Sequence, residues 1–302
     1  MKAVSTDKQE LLKQKINNFK ESIKFDISTC ILANCGSSQM SISSYLKKYD
    51  SILVPYPYEL IKVLEESNIS YITFVENNYP TELLKAQNPP AIIFYKGDNK
   101  LLKNIDNNVA IVGSRDIDNY SNRSLIDILT QAVATNQTHV YDHTQITNIF
   151  KKDFKIVSGL AKGVDTIAHA CALDNNIPCI AVVGFGLDKD SFYPKENLNL
   201  SNSILENGGL IISAYPPKSR IYKSNFIARN DIVSALSPSL IVIKANLKSG
   251  TLNTAHRSLA IGQNVYTILN NKSQLQYSGN QKLIECGAIE IKSNTLTTSA
   301  NL

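Results

Sequence analysis

The sequence predicts an α/β fold in which a parallel sheet is covered by helices on both faces, with a small helical domain ahead of it. Three observations carry this. From about residue 70, short apolar β-branched runs alternate with helical stretches. Those runs are apolar along nearly their whole length, as strands buried on both faces are. Several of them end in a turn that combines Gly, Ser or Thr and a cation, where a strand should hand over to a helix.

Residues 1–70 are read as the small helical domain. Leu11, Leu12, Ile16, Phe19 and Ile23 recur at helical spacing among Lys, Gln and Asn. Cys35-Gly36-Ser37-Ser38 reads as a turn, and 41–46 and 58–64 as two further short helices. Residues 71–292 form the main domain. The stretch 71–75 is strand-like, and Asn88-Pro89-Pro90 breaks the chain before a strand at 91–95. Further strands are expected at 109–113, 155–158, 179–183, 209–213, 240–243 and 264–267. Helices fit between them at 122–135, 163–174, 197–206, 226–236 and 251–260. The polar, patternless stretch 135–153 is expected to be a surface loop, and 293–302 a frayed tail.

Composition bounds the function. A chain of 302 residues that is 43% hydrophobic can bury a large core. A net charge of +5 permits nucleic-acid binding without demanding it. Five cysteines at irregular spacing, with no CxxC, read as reduced thiols rather than a disulfide framework or a zinc site. The N-terminus opens no signal-peptide core, and no apolar run approaches a membrane span. The expected location is the cytoplasm, with no membrane contact.

The chemistry lies in the turns. Gly113-Ser114-Arg115 ends one strand and Ser158-Gly159-Leu160-Ala161-Lys162-Gly163-Val164-Asp165 ends another. Glycines let a backbone approach an anion, helix N-termini aim N–H groups at it, and Arg115 and Lys162 add charge. One such turn is as readily an ordinary βα connection; two on one sheet edge favour phosphate. Lys248-Ser249-Gly250-Thr251 has the same chemistry, and Arg229 and Asn230 near a helix start suit an anion. Phe185 and Tyr193 are candidates for base stacking, with a packed turn an equal reading for Tyr193-Pro194. Phe226 reads better as core than as a stacking surface. Asp165 and His169 read as structural, because no nucleophile accompanies them. His139, Asp142 and His143 have spacing for a metal but no third partner, so a solvated loop is the better reading. No cofactor, metal or catalytic residue is expected.

Taken in order, these motifs resemble the DNA-processing protein A (DprA/Smf) family. The likeness runs from Tyr79-Pro80 and Pro89–Gly97 through both Gly-rich turns, Gly184–Asn197, Tyr215-Pro216-Pro217, Asn225–Asn230 and Lys248–Ala255 to Gly279–Ile284 and Gly287-Ala288. The resemblance implies an extended Rossmann-like, parallel-rich sheet in a non-enzymatic protein. It implies a homodimer that binds and protects single-stranded DNA in natural transformation and loads the RecA recombinase. By motif position it puts DNA contact on Arg115 and Lys162, with Ser114, Gly159, Gly163, Asn197, Arg229 and Lys248 as neighbours. The phosphate-binding set expected from turns and resemblance together is Gly113, Ser114, Arg115, Ser158, Gly159, Lys162, Gly163, Asn197, Arg229, Asn230, Lys248, Ser249, Gly250 and Thr251. Against the family pattern, the resemblance puts Ala214 in place of Glu, Asp231 in place of Arg and Lys244 in place of Glu, and the winged-helix segment that many relatives carry after this point is not expected.

A second class of function stays open: a nucleotide-binding sensor or nucleotide hydrolase of a related Rossmann-like superfamily. Such hydrolases carry a Pro-Gly-Gly-x-Gly-Thr turn followed by a Glu. Here the turn is Lys248-Ser249-Gly250-Thr251, and the helix after it has no Glu, which argues against hydrolysis but not against nucleotide binding. A third reading keeps the fold and assigns residues 1–70 to protein contact.

Overall fold

A computed structural model of the chain describes residues 6–22, 27–35, 39–48, 57–138, 145–270 and 275–292. Among them, nine strands form one sheet: β1 (Ser70–Thr73), β2 (Ile92–Gly97), β3 (Asn108–Val112), β4 (Lys155–Ser158), β5 (Cys179–Val183), β6 (Leu210–Ser213), β7 (Ser239–Val242), β8 (Asn264–Thr267) and β9 (Ile289–Glu290). Their order across the sheet is β1-β2-β6-β5-β4-β3-β7-β8-β9. The pairs β1/β2 and β2/β6 are antiparallel, and every pair from β6 to β9 is parallel. Every residue of β3 to β7 is buried, as the uninterrupted apolar runs require.

Helices cover both faces. α5 (Asn119–Thr138), α6 (Gln145–Ile149), α7 (Val164–Asp174) and α8 (Leu198–Glu206) pack together in one layer. α9 (Lys223–Ala235), α10 (Gly250–Ala260) and α11 (Ser278–Glu285) form the other. From β3 the chain winds outward through β4, β5 and β6, then returns to place β7 on the other side of β3. The connections therefore diverge between β3 and β7, and the carboxyl ends of those strands open a crevice.

Four helices precede the sheet: α1 (Thr6–Ser22), α2 (Ile27–Ala33), α3 (Ile42–Lys48) and α4 (Tyr58–Glu66). Phe19 of α1 and Tyr45 of α3 meet Phe74, just past β1, with ring centroids 5.8–5.9 Å apart. The Ile42 amide donates to the Pro89 carbonyl at 2.8 Å, and the Ala91 amide to Met40 at 2.8 Å. Buried side chains of α1 to α4 thus belong to the same hydrophobic cluster as the sheet.

Three expectations need correction. The stretch 135–153 is not a continuous loop: α5 runs on to Thr138, and α6 buries Ile146 and Ile149, with Phe150 beside them. The i, i+3, i+4 spacing of those three was the available signal. Phe185 is buried edge-on against Phe192, with centroids 5.2 Å apart, so it is core and not a stacking surface. The sheet also continues through α11 into β9, past the last strand expected. Ile23, residues 36–38, His139, Asp142, His143 and 293–302 lie outside the described residues.

Candidate nucleic-acid interface

The loops after β3, β4 and β7 are welded together around Gly113 and Ser114. A Cβ on Gly113 would lie 2.4 Å from Val164 Cγ2, so only glycine lets α7 approach β3 this closely. The Val164 amide donates to the Ser114 carbonyl at 3.2 Å. Gly163 has φ +79°, and a Cβ there would meet the same carbonyl at 2.3 Å. From the β7 side, the Thr251 hydroxyl donates to the Gly113 carbonyl at 3.1 Å. The Ser249 side chain caps α10 by accepting the Leu252 amide at 3.1 Å. Ser249, Gly250 and Thr251 thus place the N-terminus of α10 at the crevice beside the β3 loop.

Beneath the β4 turn lies a polar brace. Asn197 donates from Nδ2 to the Leu160 carbonyl at 3.0 Å, the Ala161 carbonyl at 3.2 Å and the Thr166 hydroxyl at 2.9 Å. The Ser158 hydroxyl donates to the Ile111 carbonyl at 2.7 Å. Arg229 is only 5% exposed; its Nη1 donates to the Val182 carbonyl at 2.9 Å and stands 3.8 Å from the Asp165 carboxylate. Burial raises the Asp165 pKa, and Arg229 and the Ala161 amide oppose it. Burial pushes His169 down to about 3, with the Ser158 backbone opposing, so its ring is neutral at neutral pH. Neither ring nitrogen completes a hydrogen bond.

Above this brace, a cleft of about 650 Å³ opens at the switch point. Of the expected residues, Gly113, Ser114, Arg115, Arg229, Asn230, Lys248, Ser249, Gly250 and Thr251 line it. Gly159 and Lys162 line a smaller adjoining pocket with Arg115, Tyr193 and Phe226. Ser158 and Asn197 are buried in the brace below, and Gly163 sits in the weld between loops.

The cleft has an aromatic side as well. The Arg115 guanidinium lies over the Phe226 ring, 5.5 Å from its centroid, and the Tyr193 ring is 5.8 Å from Phe226. Tyr193 is 41% exposed and Tyr222 is 55% exposed. Tyr222, Ile221 and Lys223 line the cleft and were not singled out from the sequence. An aromatic between Arg220 and Lys223 in a Ser- and Pro-rich loop was the available signal. Phe226, expected as core, is half-buried with its ring at the cleft wall.

Two of the departures from the family pattern also resolve. Asp231 is buried and paired with Arg257. Lys244 is buried and pairs with Asp118 at 3.0 Å. Neither enters the cleft lining. Among the described residues, no group of three His, Cys, Asp or Glu is placed to hold a metal, and no helix is long and apolar enough to cross a membrane.

Fold and cleft together define a doubly wound α/β protein whose switch-point crevice is lined by Arg115, Lys248 and the start of α10. The family model for DNA recombination-mediator protein A matches residues 70–141 and 132–300, and the chain belongs to that family. It is 35% identical to the DNA processing protein DprA of Streptococcus pneumoniae over 216 residues, covering 72% of this chain and 68% of that one. It is 31% identical to protein Smf of Borreliella burgdorferi over 302 residues, covering 97% of this chain and 85% of the relative. The X-ray structure of S. pneumoniae DprA superposes with a TM-score of 0.69 at 28% identity, covering 100% of this chain and 95% of the other. A structure describing the single-stranded DNA binding mode of DNA processing protein A from Helicobacter pylori matches with a TM-score of 0.60 at 31% identity, over 76% of this chain and 95% of that one. The S. pneumoniae and H. pylori relatives are named as DNA-processing proteins, and none of the three is named as an enzyme.

Proposed function

We propose that the switch-point cleft binds single-stranded DNA independently of sequence, in the service of natural transformation or recombination. The observation that carries this is the Arg115–Phe226–Tyr193 group: a cation and two aromatic faces at the mouth of a cleft whose other side is the first turn of α10. Phosphates would be neutralised by Arg115, Lys162 and Lys248 and take hydrogen bonds from the Ser249–Thr251 turn, while bases stack on Tyr193 or Tyr222. Duplex DNA offers no free base face to such a wall, so a single strand is preferred. Gly159, Gly163, Ser158, Asn197 and Arg229 serve this site by holding its loops. The H. pylori relative, described as binding single-stranded DNA, supports the reading.

Family membership supports three further parts of the proposal: the protein acts as a homodimer, hands its strand to RecA, and works in the cytoplasm. Fluorescence anisotropy of labelled oligo-dT against a duplex of equal length, at several salt concentrations, tests the core claim. Salt-sensitive binding that prefers the single strand is expected; no binding at low salt overturns it. A second reading, nucleotide binding, is favoured only by the capped N-terminus of α10 at the switch point. A thermal shift with mononucleotides but none with oligonucleotides would establish it instead.

A further inference from the structure

A second concavity, of about 680 Å³, lies between α1, α3 and the segment at 84–89, and shares no lining residue with the cleft. Its lining includes Leu11, Leu12, Leu46 and Leu84. Lys8, Lys15 and Lys47 edge it, and no Asp or Glu contributes. On α1, Lys8, Leu11, Leu12 and Lys15 follow one another at i, i+3, i+4 and i+7, so one helix face supplies both the apolar strip and two of the cations. Leu11 is 52% exposed on that face. Nothing in the proposed DNA-binding role uses this groove.

We propose that it docks an acidic amphipathic segment of a partner protein, with aliphatic side chains on the leucine strip and carboxylates against Lys15 and Lys47. The charge of the rim selects an anionic partner. The chemistry of the floor selects a peptide over a nucleic acid. Strand binders use exposed aromatic faces and arginine forks, whereas this lining has no Arg, and its one aromatic, Phe19, is buried against Tyr45 and Phe74. A groove of this size takes two or three side chains from one face of a short helix.

The test uses the full chain and a fluorescein-labelled helical peptide with Leu at i, i+4 and i+7 and Glu elsewhere on that face. The control peptide has the same charge with Ser in place of Leu. Anisotropy should rise with the Leu peptide, weaken with salt, and be much smaller with the control. The double variant Lys15→Glu/Lys47→Glu should weaken the Leu peptide by about tenfold or more, and Leu11→Ser by about tenfold. All three positions are exposed, so thermal melting should be unchanged, and oligo-dT binding should stay within about twofold because none of the three lines the cleft and salt screens surface charges. Absence of peptide binding at low salt overturns the proposal, as does equal binding of the two peptides. Loss of oligo-dT binding in the lysine double variant, with peptide binding intact, overturns it in favour of a nucleic-acid surface.

Discussion

The Arg229 guanidinium fills the space that a side chain on Gly159 would need: a Cβ there would lie 1.2 Å from Nη1. Gly159 is thus glycine because a buried cation crosses it. That cation ties β5, through the Val182 carbonyl, to Asp165 on α7. Gly159→Ala should displace the guanidinium, strand the Asp165 carboxylate in a buried site and cost about 3 kcal/mol. Urea denaturation measures this. A loss under about 0.5 kcal/mol would mean that the Arg229 anchor is dispensable.

Arg115 and Lys162 should not contribute equally to strand binding. Arg115 is exposed and stacked on Phe226, whereas Lys162 already pairs with Glu196 at 2.5 Å, with both side chains more than half exposed. Arg115→Ala should weaken oligo-dT binding about tenfold and flatten the salt slope by roughly one. Lys162→Ala should do less, because a phosphate must first displace Glu196. Glu196→Gln should therefore tighten binding in the parent and do nothing in Lys162→Ala. If it tightens both equally, Glu196 acts through the general field and not through Lys162.

Much of this fold was legible in the sequence because parallel strands covered on both faces carry short apolar, largely β-branched cores between polar helical stretches. The runs at 155–158, 179–183 and 264–267 coincide with β4, β5 and β8 to the residue. β9 was not legible: it is two residues long, its Ile289 is 42% exposed, and no apolar run marks it. The turns of the site were visible because glycine beside a cation after a strand is a local pattern. The division of labour within them was not. That Arg115 meets the cleft while Arg229 holds it up from below depends on contacts with Phe226 and Val182, which no local spacing encodes.

Lys244 and Asp118 are 126 positions apart, which is why their pairing escaped the sequence. Burial raises the Asp118 pKa, but bonds from the Ser121 amide, Lys244, the Ser121 hydroxyl and Tyr277 outweigh it and bring the pKa down to about 2. A carboxylate depressed in the folded state stabilises the fold above its unfolded value, near 3.8, and loses that contribution as pH falls through about 2. Asp118→Asn should thus lower the melting temperature at pH 7, leaving Lys244 buried without its anion. The gap from the parent should close between about pH 4 and 2. A gap that stays constant over that window would show that the ion pair contributes nothing.

Asp231, read from the sequence as a departure from the family pattern, pairs with Arg257 across α9 and α10. Asp231 is buried, and its partner is mostly so, with the Arg257 side chain 18% exposed. The single substitution Asp231→Arg would set two guanidinium groups against each other on α9 and α10 with little water between them. It should cost about 3 kcal/mol and yield no gain in oligo-dT affinity, since position 231 faces α10 and not the cleft. Exchanging the pair, Asp231→Arg with Arg257→Asp, should recover at least half of that loss, and a double-mutant cycle isolates the coupling. Tighter DNA binding by Asp231→Arg at unchanged stability would instead put this position on the path of the strand.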